Sequence, residues 1–111
     1  MTVTSKPLIT AGYASNAETT EYTASAGMRT IIDKFTGYNG SGGAVTLTVK
    51  LVPASGSAAA TNIVVSKAIA AGVTETFPEI VGHVLEPGGI ISVIASAATS
   101  IVRRASGREV T

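Results

Sequence analysis

His83 is the one imidazole in the chain, and no cysteine accompanies it. Nucleophilic catalysis of the Ser–His–acid kind needs a base next to a hydroxyl and a group to orient that base. His83 lies in EIVGHVLEP among apolar neighbours, where a histidine is usually satisfied in packing or exposed on a strand. A metal centre needs about three or four His, Cys, Asp or Glu ligands, and here one His and seven scattered acids would have to supply them. Glu75, Glu79 and Glu86 are the acids closest together in sequence. Even spacing puts Glu75 and Glu79 on one face of a regular strand, but Pro78 interrupts that strand. A carboxylate pair could hydrolyse a glycoside, yet the chain has no Trp, three Tyr and two Phe, a poor platform for a sugar. These acids read as a solvated strand face. The expectation is no catalytic residue, no metal, no cofactor and no small-molecule substrate.

A glycine-rich stretch, YNGSGGAVTLT (38–48), raises a second chemistry. Such a loop cradles phosphate when a helix follows it, usually with a Lys-Ser/Thr pair. Here an alternating strand pattern follows and no GK[ST] is present. The expectation is a hairpin joining strands 29–38 and 44–53, with Asn39, Gly40, Gly42 and Gly43 supplying left-handed backbone. The remaining cluster is basic: Arg103, Arg104 and Arg108. Adjacent strand residues point to opposite faces, so one of Arg103 and Arg104 is expected to face inward or toward a neighbouring subunit. A guanidinium forks a carboxylate well, which suits an interface; ordinary surface arginines are the alternative. No aromatic side chain interleaves with them and the net charge is +1, so no nucleic-acid partner is expected.

The elements that would position these residues read as strands. Runs at 19–24, 29–38, 44–53, 62–69, 90–96 and 100–106 are rich in Thr, Val, Ile and aromatic residues. In 44–53, Val45, Leu47, Val49 and Leu51 point one way and Thr46, Thr48 and Lys50 the other. Residues 74–86 read as one strand interrupted at Pro78, or as two short ones. Turn signals fall at SAGM, AAGV and PGG. About seven or eight short strands with such punctuation predict an all-β fold, an antiparallel β-sandwich, jelly-roll-like. Residues 1–17, small and polar with Pro7 and Gly12, read as an extended N-terminal arm, with a short strand over 7–13 as the alternative. Residues 18–111 then form a single β-sandwich domain.

Composition narrows the class further. Hydrophobic residues make up 45% of the chain but charged residues only 14%, against roughly 25% in ordinary domains. Ser, Thr, Gly and Ala must cover much of the surface, and such a surface does little to oppose docking or self-association. No apolar run approaches the ~18 residues that span a membrane, so no membrane partner is expected. The start carries one Lys and no long apolar region, and is read as lacking a signal peptide.

The phrases YTASAGMRTIIDKFTGYNGSGGAVTLTVKLVP, VGHVLEPGGIISVIAS and ASGRE, within residues 18–109, resemble small β-sandwich accessory proteins of tailed bacteriophages. Among these, the chain looks most like the capsid decoration, or staple, proteins of epsilon15-like phages. The resemblance implies a jelly-roll-like protein made in the host cytoplasm and seated on the outer capsid surface. There it would cement neighbouring subunits of the phage major capsid protein, as a homo-oligomer with a dimer favoured. A tail- or fibre-associated module that binds a receptor or another tail protein is the alternative, and a cupin-like enzyme a third. Expected contact residues are Thr2, Val3, Thr4, Lys6, Leu8, Ile9 and Tyr13 in the arm, and Arg103, Arg104 and Arg108 in the last strand. Removing residues 2–12 is expected to weaken attachment and spare the fold.

Overall fold

The computed structural model describes residues 1–111 and consists of nine strands. These are β1 (Val3–Tyr13), β2 (Thr19–Thr23), β3 (Arg29–Asn39), β4 (Val45–Val52), β5 (Ile63–Ile69), β6 (Thr74–Thr76), β7 (Val84–Leu85), β8 (Ile90–Ala95) and β9 (Ile101–Val110). They make two sheets. Sheet A runs β1-β9-β3-β6, with β7 also on β3; sheet B runs β2-β8-β4-β5. Phe77 follows β6, and a 3-10 turn at Pro78–Ile80 then separates that strand from β7. Proline cannot donate to a ladder, and the strand resumes two turns later on the same partner.

Counting β6 and β7 as one interrupted strand gives eight, and their antiparallel pairing is nested. The first strand pairs with the last (β1–β9), the second with the next to last (β2–β8), β3 with β6 and β7, and β4 with β5. A long hairpin folded over on itself in this way is a jelly roll. The expected all-β antiparallel sandwich is thus the observed fold.

The core lies between the sheets, as a cluster of 19 buried residues. Val45, Leu47 and Val49 supply it from β4, with Leu51 partly buried against it; Ile91, Val93 and Ala95 supply it from β8 and Ile32 and Phe35 from β3. Phe35 and Phe77 meet edge-to-face with centroids 5.0 Å apart. Each such apolar side chain contributes about 1.5–3 kcal/mol when fully buried.

Two expectations about elements need correction. Segment 3–13 is no free arm: it is the eleven-residue edge strand of sheet A, laddered to β9 from Val3↔Val110 to Tyr13↔Val102. Leu8 and Ile9 are buried, at 7% and 3% exposure, because a register shift between Pro7 and Ile9 turns consecutive apolar side chains into the core.

The glycine-rich loop is also no hairpin. β3 belongs to sheet A and β4 to sheet B, so 40–44 arches across the sandwich. Both strands carry a buried face, and those faces oppose one another rather than lying side by side. None of Asn39, Gly40, Gly42 and Gly43 has positive φ. Buried Asn39 holds the arch instead. Its Nδ2 donates to the carbonyls of Gly43 and Ile69, both at 2.8 Å, and its Oδ1 accepts from the backbone N–H and hydroxyl of Ser41 at 2.9 and 2.7 Å. Left-handed glycines occur instead in the turns SAGM, AAGV and PGG, at Gly27, Gly72 and Gly88 with φ 73°, 73° and 86°.

Candidate functional site

The groups with acid–base chemistry are dispersed. His83 is exposed in the connection to β7. Glu79 pairs with Lys67 at 3.1 Å and Glu86 with Arg29 at 3.0 Å, while Glu75 lies on β6. No three His, Cys, Asp or Glu side chains gather around a common point.

What the fold does assemble is a broad face. In antiparallel sheets, residues opposite one another in register share a face, and the ladders of sheet A order its outward residues into rows. The first row is Val3, Val110 and Arg29; the second is Ser5, Arg108, Ile31 and Val84. Pro7, Ser106 and Lys34 follow, then Arg104, Thr36 and Thr76, and last Tyr13, Val102, Tyr38 and Thr74. Tyr13, Tyr38, Val3 and Val84 are 57%, 44%, 50% and 49% exposed. Aliphatic side chains therefore gather toward one end of the face and the two tyrosines at the other, with Lys34 and Arg104 between them. The outward face of sheet B is different: Thr46, Thr48, Ser66 and Ala68 make up most of it, Ile94 opposite Thr48 and Ile63 opposite Lys50 add aliphatic surface, and Lys50 is bridged to Glu18.

The expected contact residues divide between this face and the interior. β1 and β9 are neighbours, so the two nominated segments make one surface to which Val3, Tyr13, Arg104 and Arg108 belong. Arg108 forks Asp33 through three contacts of 3.0–3.2 Å. Thr2 is bound to the other terminus, its N–H donating to Thr111 Oγ1 at 2.8 Å. Leu8 and Ile9 are core residues. Thr4 and Lys6 lie in register with Glu109 and Gly107, on the inward side of the sheet edge, and Lys6 reaches Glu109 at 3.5 Å.

Arg103 is the inward member of the Arg pair. It bridges Glu21 of β2, and its Nη1 donates to the Thr10 carbonyl at 3.2 Å, while its buried Nε has no partner. Glu21 is the extra residue of a bulge between Thr20 and Tyr22. The bulge lets consecutive side chains reach across to sheet A, because Tyr22 donates to Glu109 at 2.7 Å and also meets Thr30 at 2.7 Å. The Tyr22 bond holds the Glu109 carboxyl below the usual carboxylate range; Lys6 and Ser25 add to this and burial opposes it. Burial, and then the hydrogen bond to Glu109 and its charge, push the Tyr22 hydroxyl up to about 12, against the bond with Thr30.

Lys34, Thr36, Tyr38, Ile31 and Val84 also belong to the outward face and were not among the expected contacts. The alternation of β3 carries the signal, but a bulge between Ile32 and Lys34 changes its phase. Ile31 and Ile32 in sequence do not reveal which of them is inside.

Fold and face define a jelly-roll protein with one chemically distinctive sheet surface. No protein-family model and no curated protein sequence matches the chain. Among solved structures, it is similar to a protein from work on Bacillus endospore appendages, described as a novel family of disulfide-linked pili. The identity is 12% and the TM-score 0.60, over 99% of this chain and 88% of that one. This likeness is one of fold. A chain of infectious bursal disease virus, Gx strain, aligns at 13% identity and TM-score 0.47, over 97% of this chain and 32% of the viral one.

Proposed function

We infer that the chain is a structural protein of a virus particle that docks through the outer face of sheet A onto assembled protein. In the reading that the sequence resemblance favours, the partner is a phage major capsid protein, and the chain cements neighbouring subunits from outside the shell. The observation that carries the docking face is the contrast between the two sheets. One presents Tyr13, Tyr38, Val3, Ile31 and Val84 around charged residues, two of them cations without a carboxylate; the other is mainly Thr and Ser with Ile63 and Ile94, and has neither an aromatic side chain nor an unbridged cation. Tyr and Arg dominate the energetics of protein interfaces because they combine large contact area with a polar handle.

Three strands of about ten residues, with the short β6 and β7 beside them, at a spacing of about 4.8 Å and a rise of about 3.4 Å give a flat area on the order of 600 Å². Side-chain relief brings that near the ~800 Å² per partner of a stable interface. A protein that binds only the assembled lattice stabilises it by mass action, as RT ln(1 + [L]/Kd). The 111 residues contain no Cys, so linkage through disulfides is not open to them.

The test is attachment to shells prepared without the chain. Saturable co-sedimentation at native salt, with a higher heat-disruption temperature for the loaded shells, is the expected result. A chain that stays in the supernatant would sink the proposal. Imaging of labelled chain on the tail instead of the head would favour the tail-associated module.

A further inference from the structure

Ion pairing leaves unbalanced charge in one place. Six of the eight Lys and Arg side chains are bridged to carboxylates: Lys6 to Glu109, Arg29 to Glu86, Lys50 to Glu18, Lys67 to Glu79, Arg103 to Glu21 and Arg108 to Asp33. The two without a carboxylate are Lys34 and Arg104. Glu75, the one unbridged acid, is in register with buried Gly37, so it belongs to the other side of the sheet.

Lys34 and Arg104 are neighbours. Lys34 is opposite Ser106 and Thr36 opposite Arg104, and these four side chains line one shallow depression in the middle of the outer face. Two cations and two hydroxyls converge there with no acid among them. A guanidinium offers a planar fork of donors, an ammonium a compact charge, and the hydroxyls can turn to donate. That donor set is complementary to an oxygen anion.

The geometry points to a carboxylate-binding patch at Lys34, Thr36, Arg104 and Ser106, which receives an acidic side chain of the protein that covers this face. The inference rests on the docking face proposed above and names what its centre recognises. The flanks favour protein over nucleic acid. Tyr13, Val102 and Tyr38 border the patch on one side, and Ile31, Val84 and Val110 lie toward the other. A nucleic-acid track needs many phosphate contacts, and no third unbridged cation extends this one.

Three probes test the patch: shells prepared without the chain, poly-L-glutamate, and a duplex DNA oligonucleotide. Binding is measured from about 50 to about 300 mM salt, a range over which screening of exposed charges changes strongly. The wild-type chain is expected to bind shells and poly-L-glutamate less tightly as salt rises. The double variant Lys34→Glu/Arg104→Glu is expected to lose roughly 100-fold or more in affinity for both, with the melting temperature unchanged. Should charge reversal perturb folding, Lys34→Gln/Arg104→Gln is expected to lose roughly tenfold or more. Variants that attach to shells as wild type does overturn the patch and leave the docking face standing. A wild-type chain that ignores shells but binds poly-L-glutamate through these two residues supports the patch and overturns the shell reading. Tighter, Lys34- and Arg104-dependent binding to DNA than to poly-L-glutamate overturns the carboxylate assignment in favour of phosphate.

Discussion

Gly107 shows how one position can be dictated by its neighbours across a sheet. A Cβ there would lie 2.3 Å from the Ile31 carbonyl oxygen and 2.8 Å from Leu8 Cδ1. The obstacle is backbone on the adjacent strand, which cannot turn aside as a side chain can. Gly107→Ala is expected to lose about 2–4 kcal/mol in urea denaturation; a midpoint equal to wild type would show that the strands can separate freely there. Glu109 and Tyr22 set the pH response. Glu109 is a stronger acid when folded, so its contribution is present above the ordinary value of 4.5 and is lost as pH falls through the lower folded value. Tyr22 works in the opposite sense. The folded chain keeps a proton up to about 12 that an ordinary tyrosine gives up near 10.0, so this contribution is whole below pH 10 and lost as pH rises toward 12. Tyr22→Phe is expected to flatten the alkaline fall in stability and to shrink the Glu109 share of the acid fall, because the folded carboxyl returns toward its ordinary value. Melting curves at both extremes check this, and unchanged profiles would exclude the pair as the cause.

Elements respond to what lies beside them more than to their own composition. Segment 3–13 looks like a loose arm because it is polar and carries Pro7 and Gly12. β9 recruits it nonetheless, and Leu8 and Ile9 anchor it in the core. Deleting residues 2–12 is therefore expected to unfold the chain or lower its melting temperature by more than 10 °C, a shift of roughly 2 kcal/mol or more at this size. A truncated chain that melts as wild type would restore the arm. The arch at 40–44 makes the same point. Glycines after a strand suggest a hairpin, but one side-chain hydrogen bond of Asn39 ties β3 to Ile69 at the end of β5 in the opposite sheet, and the other three hold the arch itself. Asn39→Ala takes the side-chain donor from the Ile69 carbonyl, while the Gly43 carbonyl keeps the Ser41 hydroxyl, and is expected to cost about 1–3 kcal/mol. Calorimetry decides, and a loss within error of zero would mean water replaces the amide.

For the whole molecule, the decisive feature is the inequality of its two broad surfaces. If the outer face of sheet A meets a partner, Tyr38→Asp and Val84→Asp should each weaken attachment roughly tenfold or more. Thr48→Asp, on the outer face of sheet B, should leave attachment unchanged. Equal losses from both faces in a shell-binding titration would mean the chain is gripped all round.

Much of this architecture is written in local pattern. Period-two alternation in β4, Val45 to Leu51, gives a strand with one buried face whatever its neighbours are. Proline at 78 breaks a strand because it lacks a donor, and PGG turns because Gly88 can take positive φ. Adjacent arginines in a strand must diverge, and Arg103 does turn inward while Arg104 turns out. These properties arise from covalent geometry and hold for the sequence by itself. The tertiary structure alone decided which strands pair, that β1 is laddered rather than loose, and that 40–44 crosses between sheets. It also brought Lys34 beside Arg104, about 70 residues along the chain, while every other cation found a carboxylate. Pairing of that kind depends on closing long loops and on bulges that reverse the phase of a strand, and no local stretch of sequence carries either.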